Sequence, residues 1–385
     1  MCLFVPNRFR ADRPALDDVA SAFAESDIVP VHQSLPEYRP TPLVDLPGLA
    51  GTLGIKRLVV KDESQRFGLK AFKALGASYA VYRFIGEELR RAGHPLPDPS
   101  RFYRDSDAVA PDRYTFCTAT DGNHGRGVAW VARKLRQRAV IFMPHGSVTA
   151  RVEAIEREGA DVIIVAGSYD DAVRAAREAA DLNGWQMISD TSWQGYTQIP
   201  QWIMAGYTTM FREIEAAIGD PPDIVLVQSG VGALAAAAGW YYTRANTQRP
   251  KLVSVESTHA ACCLESIGTP DGDIITAGGD GQTIMAGLNC ATPSLAAWPI
   301  IRATFDAFVA IGDDHCRAAM KAFAQPLNSD PVIESGESGA AGLAALLTLA
   351  SAQSLRGARE LLRFSRDATV LLLNTEGFTG EPLSR

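Results

Sequence analysis

A chain of 385 residues, 46% of them hydrophobic, is long enough for two lobes or one large α/β unit with well-filled cores. Its formal charge of −7 argues against nucleic-acid recognition through a basic face. No run approaches the ~18 apolar residues of a membrane helix, so the expected partners are small molecules rather than nucleic acid or membrane.

The opening residues, Met1 to Arg8, lack a secretory-signal pattern, and the cytosol is the expected location. Strand-like and helix-like segments then alternate. Arg57 to Lys61 reads as a strand and Ala71 to Gly93 as a helix; Tyr114 to Thr120 is followed by Gly125 to Leu135, and Ala139 to Met143 by Val148 to Gly159. The series continues with Asp161 to Val165, Asp170 to Leu182, Trp185 to Ser189, Trp202 to Ile218, Asp223 to Val227 and Val231 to Thr243. Such alternation predicts crossover units and open, doubly wound, mostly parallel sheets. The strand runs are apolar throughout, as helices on both faces require. Gly93 to Asp112, rich in Pro, Asp and Arg, is the candidate lobe boundary, and Thr269 to Trp298 reads as a long loop. The resulting division places residues 1–90 and 205–385 in a large lobe and 91–204 in a small one.

In open α/β sheets the ligand crevice lies at the carboxyl ends of the strands. That rule gathers Lys73, the Asp121-Gly122-Asn123-His124-Gly125 loop, Asp190, the Gly230-Val231-Gly232-Ala233-Leu234 turn and Thr375. Taken singly, a lysine or aspartate at a loop start is most often solvated or capping. Together, an amine suited to a Schiff base, an amide loop and a glycine turn opening a helix describe a pyridoxal 5′-phosphate site. The same glycine turn with Ala235 satisfies the dinucleotide fingerprint, and Glu256 ends the next strand, so an NAD-dependent dehydrogenase is the rival reading. It leaves Lys73 and the Asp-Gly-Asn-His-Gly loop without a role. His124 is as readily a packing residue as a base, and Arg126, Trp193, Tyr196 and Glu337 stand near the site without an assigned part. The six cysteines and six histidines show no ligand spacing, so no metal is expected. A bridge among Cys262, Cys263 and Cys290 is left open, with small core residues the preferred reading.

Phe67-Gly68-Leu69-Lys70-Ala71-Phe72-Lys73, Thr120 to Trp130 and Asp190-Thr191-Ser192-Trp193-Gln194-Gly195-Tyr196-Thr197 resemble the diaminopropionate ammonia-lyases. So do Gly230 to Ala233, Ile284-Met285-Ala286-Gly287-Leu288 and Ser335 to Ala340, in one order from about Arg39 to Gly377. The resemblance implies a tryptophan-synthase-β-like, fold type II enzyme that uses pyridoxal 5′-phosphate, and its most specific element is the Asp-Gly-Asn-His-Gly-Arg-Gly loop. It further implies a homodimer. Lys73 would carry the cofactor, Asn123 would bond its 3′-oxygen, Gly230, Val231, Gly232, Ala233 and Leu234 would bind its phosphate, and Thr375 would face the ring nitrogen.

Lys73, Asp121 and Asp190 would remove the α-proton from substrates of opposite hand, and the products would be pyruvate and two ammonia. Asp121 stands where serine and threonine dehydratases carry a small neutral residue. A second substrate ammonium beside it gains roughly 4 kcal/mol at about 4 Å for an effective dielectric of about 20, before desolvation is subtracted. Serine, threonine or another β-substituted alanine is the alternative substrate. Departures from the family pattern are Lys70 for Asn, Gln194 for Glu, and Gly281-Gln282 before Thr283; on a helix, Lys70 and Lys73 would be neighbours.

Overall fold

The computed structural model describes residues 2–11, 14, 16, 21–105, 109–120, 122–244 and 249–378. Asp121 therefore lies outside the described residues. Among them the strands are β1 (Cys2–Pro6), β2 (Leu43–Asp45), β3 (Arg57–Asp62), β4 (Thr115–Ala119), β5 (Arg138–Pro144), β6 (Asp161–Val165), β7 (Gln186–Met187), β8 (Ile224–Gln228), β9 (Lys251–Ser257), β10 (Ala307–Ile311) and β11 (Thr369–Asn374). The helices that place functional side chains are α1 (Ala74–Arg91), α2 (Asn123–Lys134), α3 (Tyr169–Asn183), α4 (Gln198–Ala217), α5 (Ala233–Thr243), α6 (Cys262–Gly268) and α7 (Glu337–Ser351).

The chain divides into two compact units, and the backbone passes from the second to the first inside α4, after Thr209. The first unit comprises residues 1–20, 40–65 and 210–378. Its seven-stranded sheet runs β1-β10-β9-β8-β11-β3-β2. The inner strands pair in parallel, and both edge strands, β1 and β2, pair antiparallel. Strands with helices on both faces need no polar alternation. Accordingly Ile224-Val225-Leu226-Val227 of β8 and Val370-Leu371-Leu372-Leu373 of β11 are buried throughout. Alanines and leucines of α7 join Leu226, Val255 and Leu372 in the core of this unit.

The second unit, residues 21–39 and 66–209, carries a parallel four-stranded sheet, β6-β5-β4-β7. Its core joins Cys117, Ala119, Val140 and Phe142 to the alanine stripe Ala172, Ala176 and Ala180 of α3. The fold class is as the sequence predicts, but three expectations change. Residues 66–90 group with the second unit rather than with the large lobe, because α1 packs on α2: a Cβ at Gly127 would lie 3.1 Å from Ala74 Cα. Gly93 to Asp112 is no lobe boundary; it stays within the second unit, anchored by buried Phe102 and Tyr103, whose hydroxyl donates to the Ser78 carbonyl at 2.6 Å. Edge strand β6 is apolar but not covered on both faces, and Ile163 and Ile164 are 40% and 48% exposed.

One buried ion pair in the first unit falls on residues without a motif. Lys61 Nζ donates to Glu213 at 2.6 Å and to the Thr41 carbonyl at 2.8 Å, with the side chains 1% and 5% exposed. Removing one partner of a buried pair leaves a desolvated charge. Lys61→Met is therefore expected to cost about 3–5 kcal/mol, read as a shift in urea midpoint. Lys61→Met with Glu213→Leu should regain most of that loss. A single variant as stable as the parent would contradict the assignment.

Candidate active site

In the second unit the amine comes first. Lys73 immediately precedes α1, and its Nζ donates to Asp190 Oδ2 in a very short contact; the side chains are 18% and 6% exposed. Burial alone would raise the Asp190 pKa, but the Lys73 charge, then His124, and the hydrogen bond from Lys73 outweigh it and hold the carboxyl near 2. Asp190 is thus an anion at neutral pH, in contact with the Lys73 amine.

Neighbouring groups fix this pair. Tyr196 Oη donates to the Met187 carbonyl and accepts from the Ser189 N–H, both at 2.9 Å, clasping the chain just before Asp190. A bridge between Trp193 and Tyr196, with rings stacked at 4.3 Å, closes the turn that carries them. His124 is buried; its Nε2 donates to the Ile188 carbonyl at 2.7 Å, and its Nδ1 lies 4.0 Å from Asp190 Oδ2. Arg126 donates to the Leu69 carbonyl at 3.0 Å and to Glu158 at 3.3 Å, bracing the segment that leads to Lys73. Asn123 opens α2. The turn before it needs the φ of +148° that Gly122 supplies, and Thr120 Oγ1 accepts from the N–H groups of Gly122 and Gly125 at 2.9 and 3.0 Å. Lys70 is no helical neighbour of Lys73. It is exposed, precedes the helix and has φ +59°.

In the first unit, Gly230 to Leu234 follow β8 and open α5. Gly232 is the N-cap at φ +95°, with no side-chain cap, so the first-turn N–H groups keep the freedom to bind an anion. A Cβ at Gly230 would lie 2.7 Å from the Gly287 carbonyl oxygen, which presses the Ile284 to Leu288 segment against this turn. Thr375, buried, follows β11 directly. Gln228 ties the two strand ends by donating to the Leu373 and Gly339 carbonyls at 2.6 and 2.9 Å. Asn374 donates to Asp62 at 2.8 Å and accepts from Ser335 at 2.8 Å.

Glu256 does not present a carboxylate to a ribose. It is fully buried and accepts from the N–H groups of Cys263 and Leu264 at 2.7 and 2.8 Å, capping α6. This also accounts for its closeness to Cys262 and Cys263, which, like Cys290, are unbridged. Glu337 is a first-turn residue of α7, and it is Glu376 that accepts from the Ser338 N–H at 2.9 Å. The residues present suit pyridoxal phosphate: a glycine-capped helix needs no basic side chain to receive a phosphate, and an amine is held by a carboxylate.

A family model described as pyridoxal-phosphate dependent enzyme matches residues 35–374. The chain is 42% identical over 352 residues to the diaminopropionate ammonia-lyase of Escherichia coli strain K12, covering 90% of this chain and 87% of that protein. It is 38% identical over 364 residues to that of Salmonella typhimurium, covering 92% and 89%. The chain belongs to the diaminopropionate ammonia-lyases. A solved structure of the Escherichia coli member of this pyridoxal-phosphate family, in complex with an aminoacrylate-PLP azomethine reaction intermediate, matches with a TM-score of 0.87 at 37% identity, covering 98% of this chain and 94% of that one. For this ammonia-lyase family member the dinucleotide reading of the glycine turn is set aside, with Glu256 already spent on α6.

Because its folded-state pKa is depressed, Asp190 adds stability above the ordinary carboxyl range and loses that contribution as pH falls toward 2. In the cofactor-free protein, Asp190→Asn should be about 2 kcal/mol less stable than the parent at pH 7. The difference should shrink between about pH 4 and about pH 2. Urea denaturation at stepped pH measures it, and a difference that does not vary with pH would refute the ion-pair account.

Proposed function

We propose that this chain eliminates ammonia from 2,3-diaminopropionate, with Lys73 as the residue that carries pyridoxal phosphate and Asp190 as its paired carboxylate. The observation that carries the assignment of roles is the buried contact of Lys73 Nζ with Asp190 Oδ2. Asn123 would hold the cofactor's 3′-oxygen, the Gly230 to Leu234 turn its phosphate, and Thr375 its ring nitrogen. When bound, the cofactor supplies an electron-withdrawing ring conjugated to the substrate's α-amine, which makes the α-proton removable.

Everything else falls to side chains. As a neutral amine, Nζ can take a proton, Asp190 stabilises the ammonium that results, and that proton can then be returned to a departing group. The ammonium form of Lys73 is a proton donor of the kind the β-amine needs in order to leave as neutral ammonia. Carbon and nitrogen balance when the three-carbon product takes up water: one diaminopropionate and one water give pyruvate and two ammonia. Asp121, which enters this reading from its place in Thr120-Asp121-Gly122-Asn123-His124, adds a second carboxylate to match the second ammonium of a diamino acid. Of the three departures from the family pattern, Lys70 and Gln194 are exposed, which supports unchanged proton chemistry at Lys73. A homodimer and a cytosolic location belong to the same reading. Among the described residues no single helix is long and apolar enough to cross a membrane.

Keto-acid release measured on D- and L-diaminopropionate, serine, threonine and β-chloroalanine tests the substrate. The diamino acids should be preferred, whereas strong activity on serine beside little on either diamino acid would move the assignment to a dehydratase. Lys73→Ala should abolish the visible absorbance of the cofactor-loaded protein along with turnover. Asp121→Asn should reduce turnover of one substrate hand at least tenfold more than the other, on the scale of a lost proton-transfer group of about 100-fold. Equal losses on both hands would remove the stereochemical role.

A further inference from the structure

The segment Ile284 to Leu288 meets the glycine turn of the first unit so closely that no side chain fits between them. A Cβ at Gly230 would fall 2.7 Å from the Gly287 carbonyl oxygen, 3.1 Å from Cys290 Sγ and 3.6 Å from Leu288 Cα. The turn after β8 is therefore backed by main chain, and its path depends on where that main chain stands. Met285 and Leu288 are buried in the core of the unit, and Ala286–Leu288 forms one tight helical turn. Apolar packing of this kind sets the depth of the segment, but it is non-directional and does not aim the Gly287 carbonyl.

Direction comes from hydrogen bonds at both ends of the segment. At one end Thr283 Oγ1 donates to Asp313 Oδ1 at 2.6 Å and the Ile284 N–H donates to Asp313 Oδ2 at 3.1 Å, so a single carboxylate holds two successive residues. Thr283 Oγ1 also accepts from the Met285 N–H at 3.2 Å. At the other end the Gly287 N–H donates to Ser338 Oγ at 3.1 Å. Asp313 lies in the first turn of the helix Asp313–Ala324, where the helix dipole favours an acid. That accounts for a carboxylate at this position, but not for its two bonds to a distant segment. The departure Gly281-Gln282 is tied off just before the clasp. Gly281 has φ +65°, its N–H donates to the His259 carbonyl at 3.0 Å, and its own carbonyl accepts from Asn289 Nδ2 at 2.8 Å. The Gln282 N–H donates to Asp280 at 3.0 Å.

We propose that Asp313, acting through Thr283, is a positioning residue for the cofactor's phosphate: it sets the segment whose Gly287 carbonyl backs Gly230, and so fixes the turn that presents its N–H groups to the anion. A phosphate bound by backbone alone needs several N–H groups converging on one point, and a turn free to shift loses them together. The proposal rests on Gly230 to Leu234 being the phosphate site.

The test titrates the cofactor-free protein with pyridoxal phosphate and with pyridoxal, which has the same ring and aldehyde but no phosphate. The ratio of the two dissociation constants reads the phosphate alone, and a general loosening of the fold leaves it unmoved. The parent should prefer pyridoxal phosphate. Gly232→Ala is the control, strained at φ +95° with its Cβ 2.5 Å from Ile301 Cδ1, and it should erase most of the preference. A preference that survives Gly232→Ala overturns the phosphate reading of the turn and takes the proposal with it. Given that control, Asp313→Ala should weaken pyridoxal phosphate binding roughly tenfold, the worth of one hydrogen bond, with pyridoxal within about twofold. Equal weakening of both ligands makes Asp313 a structural residue and overturns the proposal. Thr283→Val removes the clasp while the carboxylate stays, and should narrow the ratio as Asp313→Ala does; Thr283→Ser, which keeps the hydroxyl, should restore it. Should Asp313→Ala fail to fold, Thr283→Val decides: a narrowed ratio supports the proposal, and the parent's ratio overturns it.

Discussion

The contact between Lys73 and Asp190 is the constraint from which the arrangement of the second unit follows. An ammonium and a carboxylate that are both mostly removed from water repay their desolvation only if the geometry is held and the remaining lone pairs are engaged. The surrounding structure provides that hold. Tyr196 fixes the backbone on the approach to Asp190, His124 fixes Ile188 two residues before it, and Arg126 fixes Leu69 four residues before Lys73. None of these groups needs to touch a substrate to matter, because each sets where the two charges stand. Such support separates a held, buried pair from a surface ion pair of little consequence.

In the first unit the governing constraint is the parallel sheet. Parallel strands end on one edge, and the residues just past those ends share it. Gln228 and Asn374 lock the ends of β8, β11 and β3 through buried hydrogen bonds, so the glycine turn after β8 and Thr375 after β11 leave the sheet in a fixed frame. The glycine turn alone is compatible with either a mononucleotide-like phosphate or a dinucleotide. What decides between them lies one strand away: a carboxylate already accepting two backbone N–H groups is unavailable to a ribose.

Much of this was legible in the sequence because the strands are apolar runs and the helices follow a 3.6-residue period. Lys73, Asn123, Gly230 and Thr375 are candidates read from strand ends and glycine turns, which are local signals. What stayed hidden was non-local. Edge strands β1 and β2 lie far along the chain from much of the sheet they complete, and β2 spans only Leu43–Asp45. The pairing of Lys61 with Glu213 joins residues 152 positions apart, and the placement of Tyr207 beside Phe72 depends on how two helices cross. Glycine at 76 and 206 was the available trace of that crossing, readable only once the two helices are known to be neighbours. The lobe boundary failed for the opposite reason: Pro and Asp between Gly93 and Asp112 mark an exposed chain, but two aromatic residues within it are enough to pin it to a core.

The segment before Lys73 shows how strain and support meet. Phe67, Gly68 and Lys70 have φ of +52°, +71° and +59°, a left-handed backbone that costs an ordinary side chain about 1–2 kcal/mol. Such a cost persists only where the neighbours over-determine the path. They do so here, since Phe67 stacks on Trp130 at 5.1 Å, Arg66 is buried and donates to the Arg39 carbonyl, and Arg126 holds the Leu69 carbonyl. Asparagine, the residue the family pattern leads one to expect at position 70, tolerates this backbone better than lysine does. The departure at Lys70 is therefore a cost to the loop's backbone. Its exposed side chain leaves the contact of Lys73 with Asp190 where the rest of the unit has put it.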